Sequence, residues 1–282
     1  MKKRIMLVAL GLLGSVCLTT SNVSAQTKGL HRLTSHWVNQ HAKTQNNINR
    51  YYRLNQNTKS GPFKGSKVIL PKGTIVSGSI INDSASKTHN AFVNGQTGLS
   101  YALKKRVGMK KPWTQLVFWQ TYMLSRYPRV KKPAFMPALG EGVFYTGGVK
   151  SFTNMAKRYK SSSSALRLTS DGYVEFYQHR NQPLITTYYE TFAYNQKPIS
   201  YAKINHTLVK GSKTYLYYSH NLKGVNDQKV RKSGAYKYRL TIHNLHTPYR
   251  YTIHYDTAYG SMYTIGGHHF YSMPLKSENS GE

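Results

Sequence analysis

The chain has 282 residues, and its 40 lysines and arginines face only 9 acidic residues, for a formal net charge of +31. With 39% hydrophobic residues, 24 tyrosines and 9 phenylalanines, it is too apolar for a disordered polycation and long enough to bury a sizeable core. Cys17 is the only cysteine, which excludes an internal disulfide and a multi-thiolate metal site.

The first segment, residues 1–25, reads as a secretory signal peptide. Lys2, Lys3 and Arg4 form a positive n-region, and residues 5–18 form an apolar run shorter than the roughly 20 residues of a membrane span. Val23, Ser24 and Ala25 supply an A-x-A-like cleavage pattern, which predicts a mature start at Gln26. Val16, rather than a small residue, precedes Cys17, so lipidation is not expected. Removing the three signal-peptide cations still leaves an excess of about +28. No later stretch is long and apolar enough to span a membrane. A secreted, extracellular chain without cysteine points to a bacterium with one membrane and a thick wall.

Residues 26–60 form a polar N-terminal segment, read as partly helical. Leu33, Trp37, Val38, Ile48 and Tyr52 fit one or two short helices. His31, His36 and His41 recur every five residues, a rotation of about 140° per step that keeps them off one helical face and argues against a metal site.

Residues 61–160 form a mixed strand and helix region. Val68, Ile69 and Leu70, then Thr74, Ile75 and Val76, flank Pro71-Lys72-Gly73 and predict a hairpin. Residues 113–127 fit a helical face through Trp113, Leu116, Val117, Leu124 and Tyr127, although Val117-Phe118-Trp119 also suits a strand. Pro128, Pro133 and Pro137 mark a loop, and a short helix is expected over 151–159.

Residues 161–275 form the predicted antiparallel β domain, opened by a linker or exposed loop tip at Ser161, Ser162, Ser163 and Ser164. Leu166 to Thr169 and Tyr173 to Tyr177 flank Asp171-Gly172, the signature of a type I′ hairpin turn. Further strands are expected over 185–194, 199–204 and 214–219. Tyr236, Tyr238, Leu240 and Ile242 then alternate with Lys237, Arg239, Thr241 and His243. The alternation resumes with Tyr249, Tyr251, Ile253 and Tyr255 against Arg250, Thr252 and His254. Period two predicts two strands; paired across 244–248, they gather Lys237, Arg239, His243, Arg250 and His254 as an anion-binding surface. Like charges so opposed repel unless an anion relieves them, or unless they are simply solvated and screened. Residues 276–282 form a flexible polar tail without a sorting-type motif. The fold class expected is therefore mainly β, with antiparallel sheets as a sandwich or small barrels, minor helix, and α+β character in the N-terminal half.

Catalytic motifs are absent: there is no G-x-S-x-G, no H-E-x-x-H and no phosphate-binding glycine loop. Asp171 is assigned to a turn, while Glu278 and Glu282 lie in the tail. Glu141, Glu175, Glu190 and Asp256 remain for carboxylate chemistry, with no spacing that singles out a pair. His254 and Asp256 would share a strand face, whereas His268 and His269 would point to opposite faces. No catalytic residue, metal or cofactor is assigned. The charge points instead to a polyanionic partner: an anionic cell-wall polymer such as teichoic acid, an anionic polysaccharide or a host glycosaminoglycan. Binding by such a surface should tighten below about pH 6.5, where histidines gain charge. The alternative is a secreted hydrolase of cell-wall or extracellular polysaccharide.

Three stretches, Lys210-Gly211-Ser212-Lys213-Thr214-Tyr215, Lys232-Ser233-Gly234-Ala235-Tyr236-Lys237-Tyr238 and Gly266-Gly267-His268-His269-Phe270-Tyr271, share a tyrosine and lysine texture. Over roughly the last 80 residues the chain resembles exported surface proteins of lactobacilli, most of all the basic wall-binding modules of their surface-layer proteins. The resemblance implies small β-rich domains held non-covalently on anionic wall polymers. The chain departs from it in lacking clear tandem repeats and in residues 39–56.

Overall fold

The computed structural model describes residues 29–34, 36–37, 40, 50–60, 68–80, 91–92, 98–110, 128–138, 142–158, 163–179, 197–253 and 256–273. The strands are β1 (Leu30–Arg32), β2 (Arg50–Arg53), β3 (Thr58–Ser60), β4 (Val68–Leu70), β5 (Ile75–Ile80), β6 (Ala91–Phe92), β7 (Arg129–Val130), β8 (Val143–Thr146) and β9 (Ala165–Leu168). They continue with β10 (Tyr173–Tyr177), β11 (Ser200–Lys203), β12 (His206–Lys210), β13 (Lys213–Tyr218), β14 (Gln228–Lys229), β15 (Tyr238–Ile253), β16 (Asp256–Ile265) and β17 (His268–Ser272). Two helices, α1 (Tyr101–Arg106) and α2 (Val149–Arg158), accompany them. The protein is mainly β, antiparallel throughout its large sheet, with minor helix, as its aromatic and β-branched alternation predicts.

The main sheet runs β11-β10-β9-β8-β17-β16-β15-β13-β12, with β1 and β14 added against β15. Its two end strands, β11 and β12, follow one another in the chain, separated only by Ile204 and Asn205. The Ile204 amide donates to the Gly172 carbonyl and the Asn205 amide to the Tyr217 carbonyl. The sheet therefore curls until its edges meet, as an open barrel, which removes most of the exposed edge. Side chains from both ends, Val174 and Ala202 with Leu216 and Tyr218, join Phe144, Leu166, Leu240, Ile242, Ile265 and Phe270 in one interior core. Burying each of the leucine, isoleucine, valine and phenylalanine side chains among them stabilises by about 1.5–3 kcal/mol.

The outer face of the same sheet is covered over β17, β16 and the C-terminal half of β15 by α2. Phe152, Met155 and Ala156 share one face of that helix and are buried against Tyr145, Met262 and Tyr271. Gly260 makes the approach close, since a Cβ there would lie 2.7 Å from Phe152 Cε2. Over β9, β10 and β11 the cover is α1 and the residues before it. Ser100 caps α1 by accepting from the Leu103 amide, and the free amides of the first turn reach carboxylates of the barrel. The Ser100 amide donates to Asp171 Oδ1 at 2.9 Å, and the Tyr101 amide donates to Glu175 Oε1. Glu175 also accepts from the Tyr177 hydroxyl and lies 3.6 Å from Arg167, both members of the ion pair being fully buried. Lys104 on α1 is buried nearby. Burial, and then the Arg167 guanidinium, bring its ammonium down from 10.5 to about 8.

Several expectations are corrected. Leu30 to Arg32 form a strand, pairing Leu30 with Tyr251, His31 with Arg250 and Arg32 with Tyr249, because the long β15 offers an edge; His36, Trp37 and Gln40 are helical. The chain turns at Pro71-Lys72-Gly73, yet β4 pairs with β3 and β5 with β2. Leu54 wedges into that turn, accepting from the Gly73 amide and donating to the Thr74 carbonyl, so the two flanking strands part. The β9–β10 connection is not a type I′ turn. That turn needs two positive φ angles, and here only Gly172 has one, at 84°. Asp171 and Ser170 are instead drawn to Ser100, Gly98 and Ile75. Ser163 is buried, and the Ser164 hydroxyl accepts from the His179 amide, so these two serines are packed into the fold rather than forming a linker or exposed tip. The helix expected near 151–159 is α2, and together with β8 it builds the same sheet as residues after 161. The signal segment 1–25, the helix over 113–127, the strand over 185–194 and the tail 276–282 lie outside the described residues.

Candidate functional site

The two C-terminal strands expected to pair with each other are one strand. β15 runs unbroken for 16 residues and pairs with β16, absorbing a register shift between Asn244 and Pro248. The reason is the length of β16, whose ten residues give a partner to both halves of β15. His243 pairs with Thr264 and Arg250 with Tyr259. Thr264 and Tyr259 have opposite parity on a regular strand, so His243 and Arg250 lie on opposite faces of the sheet. Arg239 shares the His243 face, with Lys237 just ahead of the strand. Arg250 stands beside His31 and Tyr259, and Tyr259 stacks on Trp37 at 4.9 Å. His254 lies outside the described residues. The five proposed anion-binding residues are therefore not one cluster.

The structure brings other cations to Arg239 and His243. Lys210 pairs with Lys213, Lys213 with His243, His243 with Thr264, and Thr264 with His269, a single row across five strands of the outer face. A second row joins His206, Tyr217, Arg239 and Gln228. Strands lie about 4.8 Å apart, so Lys210, Lys213 and His243 present three nitrogen-bearing side chains within about 10 Å. Lys210, Lys213 and His269 are exposed, and His243 is half-buried.

Aromatic rings fill the space between the cations. His206, Tyr217 and Tyr236 pack with centroids 5.5 to 6.3 Å apart. The Arg239 guanidinium lies 5.4 Å from the Tyr215 ring, and that of Arg231 lies 5.5 Å from the Tyr236 ring. The Arg239 Nη2 donates to Gln228 Oε1 at 2.6 Å, which fixes the guanidinium on this face. The period-two run of Lys213, Tyr215 and Tyr217 was visible in the sequence, and so was the matching run His206, Leu208 and Lys210. What was hidden is that β13 pairs with β15 and carries β12 beside it.

No carboxylate offsets this surface among those whose side chains are described. Asp171 is bound to Ser100 through both oxygens, and Glu175 is fully buried. Asp227 accepts from the Tyr218 hydroxyl, the Leu222 amide and the Asn221 side chain. All three are held by internal donors, so none stands free as half of a hydrolytic pair. Glu141 and Glu190 lie outside the described residues. Among the described residues no three histidine, cysteine, aspartate or glutamate side chains are placed to share a metal ion, and no helix is long and apolar enough to cross a membrane. No protein-family model, curated protein or solved structure matches the chain.

Proposed function

We propose that this is an exported, non-enzymatic cell-surface protein that binds an anionic polymer, wall teichoic acid or an anionic polysaccharide, through many weak charge contacts. The observation that supports it most is the row Lys210, Lys213, His243 and His269, beside which no carboxylate stands among the described side chains, on a sheet face whose aromatic rings stand between cations. Like charges directly opposed on neighbouring strands cost about 0.2–1 kcal/mol per pair, and a polymer carrying regularly spaced phosphates or carboxylates relieves that repulsion. The rings of Tyr215, Tyr217 and Tyr236 offer flat apolar surface to the sugar or polyol between the anionic groups. Each contact is weak and screened, and affinity comes from several forming at once. The export signal read in residues 1–25 and the absence of cysteine from the rest of the chain agree with this setting.

The test is retention of the purified protein on bacterial walls with and without teichoic acid, across a salt series at pH 5 and pH 7. Retention should need the anionic polymer, fall steeply with salt and rise at pH 5, because histidine side chains gain charge between those values. Salt-insensitive retention would sink the proposal.

A further inference from the structure

A second cationic site lies where α1 and the Pro71-Lys72-Gly73 turn meet the barrel. A recess of about 500 Å³ opens there, lined by Arg53, Lys72, Arg106 and Lys203 with Asp171 and Tyr173. Its four cations come from four separate segments: β2, the turn, α1 and β11. That convergence follows from the docking of α1 on Asp171 and Glu175, which sets Arg106 at the mouth. The recess lies over β10 and β11, beside the start of β12 where the edges of the sheet meet; Lys210 and Lys213 stand at the opposite end of the β12–β13 hairpin and are not part of its lining.

The charge inside it is not balanced. Asp171 is the one carboxylate in the lining, and both of its oxygens already accept hydrogen bonds from Ser100. Lys203 Nζ donates to the Asp171 carbonyl at 2.7 Å and lies 4.7 Å from the centroid of the Tyr173 ring, so it is held in place. Among the described residues, Arg53, Lys72 and Arg106 make no ion pair with a carboxylate. Burial, and then the Asp171 charge, push the Tyr173 hydroxyl up, which leaves it a neutral donor. Pro71, Ile75 and Leu103 add apolar surface, and Gly73 and Thr74 complete the lining, the Thr74 hydroxyl donating to the Pro71 carbonyl.

We infer that this recess binds a phosphate ester of a small polyol or sugar, its anionic head among Arg53, Lys72, Arg106 and Lys203 and its carbon skeleton against Pro71, Ile75 and Leu103. The volume falls within the range of small-molecule sites. Guanidinium groups match phosphate oxygens in paired hydrogen bonds, which a doubly charged head uses better than a single carboxylate does. Such an ester is supplied either by the end of a phosphate-linked polymer or by a free metabolite.

Calorimetric titration of the purified protein at 150 mM salt distinguishes the terms. Glycerol 3-phosphate should bind saturably at one site, about tenfold more tightly than inorganic phosphate, and glycerol should not bind. The Arg53→Gln and Arg106→Gln double variant, at two exposed positions, should lose about tenfold or more, while Lys210→Gln with Lys213→Gln should bind normally. Competition by polymer fragments ending in the ester supports the polymer source, and binding of the free ester alone supports the metabolite. Absence of saturable binding, equal affinity for inorganic phosphate, or loss in the Lys210 and Lys213 variant overturns the assignment. Wall retention through the β12, β13 and β15 face does not depend on this recess, so either proposal can fail while the other stands.

Discussion

The outer face of the barrel sheet is built in two ways. Over β9 and β10 it carries Arg167 and Glu175, which meet α1 and the residue before its cap and are fully buried; over β12, β13 and β15 it carries exposed Lys210 and Lys213 with half-buried His243 and Arg239. The covered half uses scarce carboxylates to hold two parts of the fold together, with each oxygen of Glu175 taken by a donor. The bare half has cations and no described carboxylate. The difference teaches where the described acids Asp171 and Glu175 are used: a buried charge must be paired, whereas an exposed one can wait for a partner.

The largest effect should come from breaking the covered half. Glu175→Gln leaves Arg167 buried without its counter-charge and weakens the capping of α1, and it should lower unfolding free energy by about 3–5 kcal/mol in urea titrations. An unchanged midpoint would mean that the pair does not hold the two parts together.

Next is a pH effect on the same region. Lys104 releases its proton near pH 8 when folded but near 10.5 when unfolded, so the unfolded chain holds the extra proton across that window. Stability should therefore rise from about pH 8 toward pH 10, by roughly 1–3 kcal/mol, as the penalty for burying the ammonium is removed. Tyr177, Tyr218 and Tyr263 are held above the ordinary tyrosine value by burial. Above pH 10 the unfolded chain loses tyrosine protons that the folded chain keeps, and stability should fall again. Urea melts at each pH give the curve; Lys104→Met should flatten its rising limb, and an unaltered limb would assign the rise to other lysines.

Between the two halves, Gly260→Ala tests the cover made by α2. The added methyl meets Phe152 at 2.7 Å and should cost about 1–3 kcal/mol by overpacking, with the melting temperature as readout. The smallest stability effect is expected on the bare half. Lys210→Gln with Lys213→Gln should move stability by no more than about 0.5 kcal/mol per site, upward if at all, because repulsion is relieved. The same variant should be retained less on anionic polymer and with a shallower salt dependence. A stability loss with unchanged retention would reverse the contrast between the two halves.

Local chemistry was readable from the amino-acid sequence alone: the strand content, a short helix over 151–159, the turn at Pro71-Lys72-Gly73, and the basic alternation through Arg239 and His243. These depend on spacing and on the conformational range of single residues, which neighbours along the chain determine. Pairing was decided only in three dimensions. Arg250 parted from His243 because β16 is long enough to keep β15 in one piece, and Lys210 and Lys213 joined His243 because β13, distant in sequence, took the adjoining edge. Asp171, legible as a turn residue, became a helix-capping partner of Ser100, 71 positions away. Period two says which residues share a face of one strand, but which strands lie side by side depends on how the whole apolar surface is buried, and that is a property of the closed sheet.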